Sequence, residues 1–402
     1  MADRQIAPRD ADVIVIGLGG LGSAAAYWLS RAGVRVLGFE QFGIGHDRGA
    51  SQDHSRLIRL SYHTEGYVRL AREAYSVWSE VEAESGDQLV IRTGGLDLAP
   101  AGSVAPLDDY ARAMSAADVP FERLDAAETM HRWPQFRLDD DVDIIYQAET
   151  GICAAARANA AHVRLARAHG ATLIDGTPVE AIRSDGDGVE VIAGGRRHRA
   201  GRAVVTADAW TNDLLEPLGR PLPLVVTREQ VVYFEPTDAA RFEIGRFPSW
   251  IWSDVPSFYG FPTFGEAGPK VAEDIGGQPV TAAGRTFETD EAALARLRSF
   301  VHGTLPVVDR SILRIKTCLY TLTPDRDFVI DAVPGHGNVL VALGAAHAFK
   351  FATLIGRTLA ELATDRPASI DLTAFRFDRP HLTMADPPLA WQPGAPFTSV
   401  EP

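Results

Sequence analysis

Short runs of β-branched and aliphatic residues, each passing through glycine into a helical repeat, recur at intervals along the chain. The first is Asp12-Val13-Ile14-Val15-Ile16, whose unbroken apolar character predicts a strand buried on both faces. Gly17-Leu18-Gly19-Gly20-Leu21-Gly22 follows at once. Residues 23–32 are rich in Ala and Leu, with Leu21, Ala25, Leu29 and Ala32 at helical spacing, and Gly33 ends the helix. Residues 34–39 then read as a second parallel strand, closing with Glu40. A second such section covers 155–210, with a helix over 156–169 and strands at 171–174, 189–192 and 203–206. In a third, an apolar run at 338–343 leads through Gly344 into a helix from about 347 to 363. The segments between them differ in character. Runs at 89–98, 225–234 and 249–261 are β-rich, and 287–302 has a helical pattern.

This alternation predicts α/β plus α+β architecture in two interleaved domains. A Rossmann-like α/β domain is expected from 1–86, 150–222 and 305–385. A β-rich domain is expected from 87–149 and 223–304, with an irregular Pro-rich tail at 386–402. A chain of 402 residues favours more than one core, and its 46% hydrophobic and 23% charged residues are those of ordinary globular proteins. The net charge of -14, with no basic tract, argues against nucleic acid and against docking on anionic lipid. The first apolar run is too short for a signal peptide or a membrane span. Two cysteines, Cys153 and Cys318, make no disulfide framework, so a cytoplasmic enzyme is expected. No H-E-x-x-H, C-x-x-C or G-x-S-x-G occurs, so neither metal hydrolysis nor a serine nucleophile has support, and no metal is expected.

The glycine turn carries the first chemistry. Gly17 permits a tight turn, Gly19 lets the backbone approach a pyrophosphate, and Gly22 allows the helix to pack closely on the strand. The helix N-terminus offers N–H groups and positive dipole to phosphate, and Glu40 is placed to accept ribose hydroxyls. The spacing predicts a dinucleotide and does not separate FAD from NAD. Elsewhere, Arg56 and Arg59 lie three apart, on one face if that stretch is helical.

Beyond the glycine turn, the run from Gly49 to Arg59 (Gly-Ala-Ser-Gln-Asp-His-Ser-Arg-Leu-Ile-Arg) is similar to the start of the monomeric sarcosine oxidase family. The likeness continues through Tyr259-Gly260-Phe261-Pro262, Lys270, Thr317-Cys318-Leu319-Tyr320-Thr321 and Gly344-Ala345-Ala346-His347-Ala348-Phe349-Lys350, in the family's order. The resemblance implies FAD rather than NAD. By the same resemblance, Cys318 is the cysteine bonded to the flavin through a thioether, and Lys270 lies above the flavin ring where oxygen reacts. Ser55, Arg56, Gly344 and His347 would lie beside the flavin, and Arg59 and Lys350 would take a substrate carboxylate. Such a pair suits a carboxylate, because guanidinium binds it bidentately and ammonium adds point charge. Tyr259 and Tyr320 are candidate pocket walls or plain core, and Cys153 is expected in a core.

Several residues depart from the family pattern. Asp274 and Gln52 stand where sarcosine-oxidising members carry histidines, and Ala345, Ala346 and Ala348 replace smaller or more polar residues. These departures bear on the substrate rather than the cofactor, and Asp274 is free either to pair with one of the expected clamp cations or to meet a cationic substrate side chain. The reading is an FAD-dependent oxidase of a small secondary or N-methyl amino acid. The substrate becomes an imine that hydrolyses, and O2 becomes H2O2. The alternative is a flavin dehydrogenase that hands electrons to a carrier. A monomer is expected.

Overall fold

A computed structural model describes residues 9–308 and 311–390. The first eight residues and 391–402, most of the expected irregular tail, lie outside the described residues. The chain divides into two compact units. One contains Met1–Ser51, Ala158–Leu224 and Asp327–Pro387; the other contains Gln52–Arg157, Val225–Arg326 and Pro388–Pro402.

The first unit is built on a sheet of six strands. Their order is Val329–Val333, His336–Leu343, Arg202–Val205, Val13–Ile16, Val36–Phe39 and Thr172–Ile174. All neighbours run parallel except the first pair. Val13–Ile16 and Val36–Phe39 are buried at every position, as continuous apolar runs in a sheet covered on both faces must be. One cover is an antiparallel sheet formed by Val179–Asp185, Gly188–Ala193 and Arg196–Ala200, which sends Ile182, Val189 and Val191 into a core shared with Ile14, Ile16 and Phe39. Helices Gly20–Arg31 and Ala352–Ala363 pack on each other so closely that a Cβ on Gly356 would meet Ala24 at 2.6 Å. Trp28 Nε1 donates to Thr353 Oγ1 across the same contact at 2.9 Å.

The second unit is built on a large mixed sheet. Strand Val225–Glu235 is central to one end, pairing with Ser311–Leu322 on one side and with Lys270–Asp274 and Gln278–Pro279 on the other. The sheet continues through Ser257–Phe261, Ser249–Trp252, Gly95–Ala99, Asp143–Gln147 and Glu122–Leu124. Successive side chains on a strand point to opposite faces, and here the two faces differ sharply. One face sends Leu96, Leu98, Ile144, Val232, Phe234, Trp250, Phe258 and Val271 into an apolar core, closed by Leu294, Leu297 and Val301 of helix Glu291–Thr304. Helix Glu65–Ser85, which the sequence pattern above leaves unassigned, is also in this unit. It begins at a Thr64 side chain that accepts from Tyr67 N and ends at Gly86 with φ 74°.

The sequence reading places 52–86, 150–157 and 305–326 with the parallel-sheet domain, whereas the compact units place them in the other. The reason is strand pairing. Ser55–Ile58 pairs with Gly151–Ala154, and Ser311–Leu322 pairs along the whole of Val225–Glu235.

Candidate active site

In the first unit, Gly17–Gly22 leaves the carboxyl end of strand Val13–Ile16 and enters helix Gly20–Arg31. Gly17 has φ 85°, and a Cβ there would meet Thr206 O at 2.6 Å. A Cβ on Gly22 would lie 1.8 Å from Gly17 O, so no other residue fits beneath that helix. The N-cap, Gly19, has no capping side chain; Gly20 N donates to Ser51 Oγ at 2.8 Å, and the positive end of the helix dipole there favours an anion. Glu40 ends strand Val36–Phe39. Its carboxylate accepts from Leu18 N at 2.9 Å and Phe42 N at 3.1 Å, and lies 3.4 Å from His46 Nε2. Burial pushes this carboxyl up, but His46 and the two amides outweigh it and hold it below the usual range. These residues fit the ribose and pyrophosphate of a dinucleotide.

Gly344, His347 and Lys350 follow strand His336–Leu343 in the same unit. Ala345 and Ala346 both take positive φ, 43° and 71°. The expected helix over 347–363 starts as a 3-10 turn at Ala348–Phe351, which carries Lys350, before Ala352–Ala363. His347 packs on Phe328 at 4.7 Å between ring centroids. Gly20 and Phe349 are in close contact, since a Cβ on Gly20 would meet that ring at 2.9 Å.

In the second unit, the sheet face opposite the apolar core carries most of the candidate residues. Cross-strand pairing puts Cys318 opposite Glu229, Tyr320 opposite Thr227, Lys270 opposite Tyr233 and Phe261, and Tyr259 opposite Ala272. Asp274 and Asp97 fall on the same face. Lys270, Tyr259, Tyr320, Cys318 and Asp274 are thus brought together by the two-residue period of four strands. Segment 52–59 lies over this face. Lys270 Nζ donates to Asp53 Oδ2 at 3.0 Å and to Ser55 O at 2.8 Å. Arg56 is held by its own loop, donating to Ser55 O at 2.8 Å and Gln52 O at 2.6 Å. Ser55 Oγ is buried without a protein hydrogen-bond partner among the described residues, as suits a hydroxyl beside a polar ligand.

Electrostatics on this face follow from burial. The Cys318 thiol is pushed up to about 11 by burial, against the pull of the Arg56 charge. Lys270 is pushed down to about 8 by burial, against the pull of Asp53. Tyr259 and Tyr320 are raised by burial and remain hydrogen-bond donors at neutral pH.

Three expectations change. Arg56 and Arg59 do not share a helical face: Ser55–Ile58 is a strand and Arg59 follows it. Arg59 is not an unpaired buried cation, because Nη1 donates to Asp97 Oδ1 at 2.6 Å and its guanidinium lies 4.9 Å from the Tyr62 ring. Asp274 has a cation of its own within the second unit: its carboxylate accepts from Arg326 at 3.3 Å. The sequence reading also misses Asp53, Asp97, Tyr233, Glu229 and Lys316. Alternation along 225–235 is the signal that puts Glu229 and Tyr233 on one face. Lysine scarcity is the signal for Lys316. In a chain with 39 Lys and Arg, lysine occurs only at 270, 316 and 350.

The model of the DAO family, FAD dependent oxidoreductase, matches residues 12–362. The chain belongs to this family. It is therefore an FAD-dependent oxidoreductase. Monomeric sarcosine oxidase of Bacillus sp. (strain NS-129) is 32% identical over 374 residues, covering 92% of this chain and 96% of the relative. N-methyl-L-tryptophan oxidase of Salmonella arizonae is 33% identical, covering 92% and 98%. Among solved structures, NikD, described as an unusual amino acid oxidase essential for nikkomycin biosynthesis, superposes with a TM-score of 0.83 at 29% identity, covering 92% of this chain and 98% of that one. NikD thus shares this chain's α/β plus α+β fold over 92% of its length. No helix of the described residues is long and apolar enough to cross a membrane.

Proposed function

We propose that this family member is an oxidase of a small secondary or N-methyl amino acid, working with FAD held covalently by Cys318. The observation that carries the reading is the single sheet face on which Cys318, Lys270, Tyr259 and Tyr320 converge beneath Arg56. The names of the relatives, sarcosine and N-methyltryptophan oxidases, support the substrate class. FAD supplies the two-electron chemistry when bound. The amine loses a hydride equivalent and a proton to become an imine, water hydrolyses the imine, and O2 takes two electrons and two protons to leave as H2O2.

The chain's own residues orient and charge the site. Arg56 is the cation that favours the Cys318 thiolate needed for a thioether. Lys270 is a desolvated ammonium suited to stabilising negative charge on oxygen, which favours an oxidase over a dehydrogenase using a carrier. Tyr259 and Tyr320 wall the substrate pocket, and Ser55, Gly344 and His347 attend the flavin. Arg59 and Lys350 remain the proposed carboxylate ligands, with Arg59 shared between the substrate and Asp97. We propose a cytoplasmic monomer.

The Arg59–Asp97 pair favours one competing reading, an amine without a carboxylate, because Arg59 already has its anion. Steady-state peroxide release separates the two. An N-methyl or cyclic amino acid should exceed its decarboxylated amine in kcat/KM by at least about tenfold, and faster turnover of the amine would replace the amino-acid reading. Lys270→Met tests the oxygen role. Losing about 3 kcal/mol of transition-state stabilisation should slow reoxidation about a hundredfold while substrate oxidation changes little.

A further inference from the structure

We infer that Asp53 is a positioning residue for Lys270: it holds the ammonium over the reactive sheet face and keeps it charged there. This rests on the oxygen role proposed for Lys270 and adds the group that makes the role workable. Both side chains are only 2% exposed, so neither charge is stable alone. Asp53 Oδ2 takes Lys270 Nζ at 3.0 Å, while Oδ1 takes Tyr233 OH at 2.7 Å and Lys316 Nζ at 3.0 Å. One carboxylate thus organises two of the chain's three lysines. Lys270 has a second anchor in Ser55 O at 2.8 Å, and its ammonium lies 4.5 Å from the Phe261 ring centroid.

The backbone supplies a separate argument. Asp53 has φ 88°, in the left-handed region where glycine is at ease and a side chain is strained. A carboxylate is kept at a position whose geometry suits glycine, and every oxygen of that carboxylate is engaged. The surroundings explain the need. Arg56 lies 3.9 Å from Asp53 and, with burial, disfavours the charged form of Lys270. Cys318, Tyr233, Tyr259 and Tyr320 also face this cluster, and Glu266 reaches it through Lys316 at 3.1 Å. Asp53 is the anion in contact with Lys270. The first electron that O2 receives from reduced flavin makes it an anion, and a neutral amine would give that anion no charge to meet.

Lysines at only three positions make the test direct. In holoprotein labelled with 13C-lysine, Lys270→Met identifies the Lys270 signal, and its pH titration is followed. The wild-type midpoint is expected near 8. Asp53→Asn should move it to the acid side, as should Asp53→Gly, a second variant that removes the carboxylate and relieves the strain of φ 88°. Lys316→Met, which removes a neighbouring cation but leaves Asp53, should leave the midpoint at or above its wild-type value. Reoxidation by O2 should follow the same titration, with Asp53→Gly at least about tenfold slower than wild type at pH 8 and Asp53→Glu restoring part of the rate. An unchanged Lys270 midpoint in Asp53→Gly overturns the inference. If Lys270→Met leaves reoxidation unaltered, the proposed oxygen role fails, and the midpoint shift alone then decides the Asp53 pairing.

Discussion

Arg59 and Asp97 show how one pairing sets what a residue can do. Asp97 is 3% exposed, and burial pushes its carboxyl up while Arg59 pulls it down. Removing one partner of such a pair leaves the other charge buried, a cost of about 3–5 kcal/mol. Arg59→Met should therefore lower the denaturation free energy by about that much, and Arg59→Met with Asp97→Leu should recover most of it. A neutral single variant would mean that the pair is not buried as described. Glu229 offers a pH test. Burial raises it to about 7, although it accepts from Thr227 Oγ1 at 2.5 Å and Gly277 N at 2.9 Å. The folded protein thus binds a proton that the unfolded chain has lost above its ordinary carboxyl range. From this residue, stability should fall as pH rises from about 4.5 to about 7, by at most about 3 kcal/mol. Glu229→Gln should flatten that part of the curve of melting temperature against pH, and an unchanged slope would assign it elsewhere.

At the scale of elements, local signals were legible and long-range ones were not. The glycine turn between strand Val13–Ile16 and helix Gly20–Arg31 is written in neighbouring residues, so its place and its fit to a dinucleotide follow from sequence. The candidate face of the second sheet needs the register of Val225–Glu235 against Ser311–Leu322 and Lys270–Asp274, pairs separated by tens of residues. Family motifs pointed to Cys318 and Lys270 without that register. Asp53, Asp97 and Arg326 had no such pointer, because an ion pair between distant segments leaves no local pattern. The three-residue spacing of Arg56 and Arg59 would share a face only in a helix, and β-branched Ile58 and pairing with Gly151–Ala154 make a strand. The glycine turn yields the prediction at this scale. Gly22→Ala forces a Cβ against Gly17 O, so it should abolish retention of FAD or prevent folding, whereas Gly33→Ala, at a helix end with nothing within 4 Å, should cost only about 1 kcal/mol for its positive φ. Absorbance of the purified variants at flavin wavelengths, with melting temperatures, checks both.

For the whole molecule, the fold is that of an FAD-dependent oxidoreductase, and Cys318 is the proposed point of covalent attachment. Acid-precipitated wild type should remain yellow and its mass should exceed the polypeptide by one FAD, while Cys318→Ala should release all flavin to the supernatant. Flavin washing out of wild type would remove the thioether from the account and leave the fold assignment untouched. The central claim is amino-acid oxidation with oxygen as acceptor, and one stopped-flow experiment tests it. The anaerobic protein is mixed with an N-methyl or cyclic amino acid, and O2 is then admitted. The flavin should bleach on the first mixing and recover its colour on the second, with one H2O2 released per flavin. A flavin that stays oxidised with every such amino acid, or that bleaches and is recoloured only by an artificial electron carrier, would contradict it.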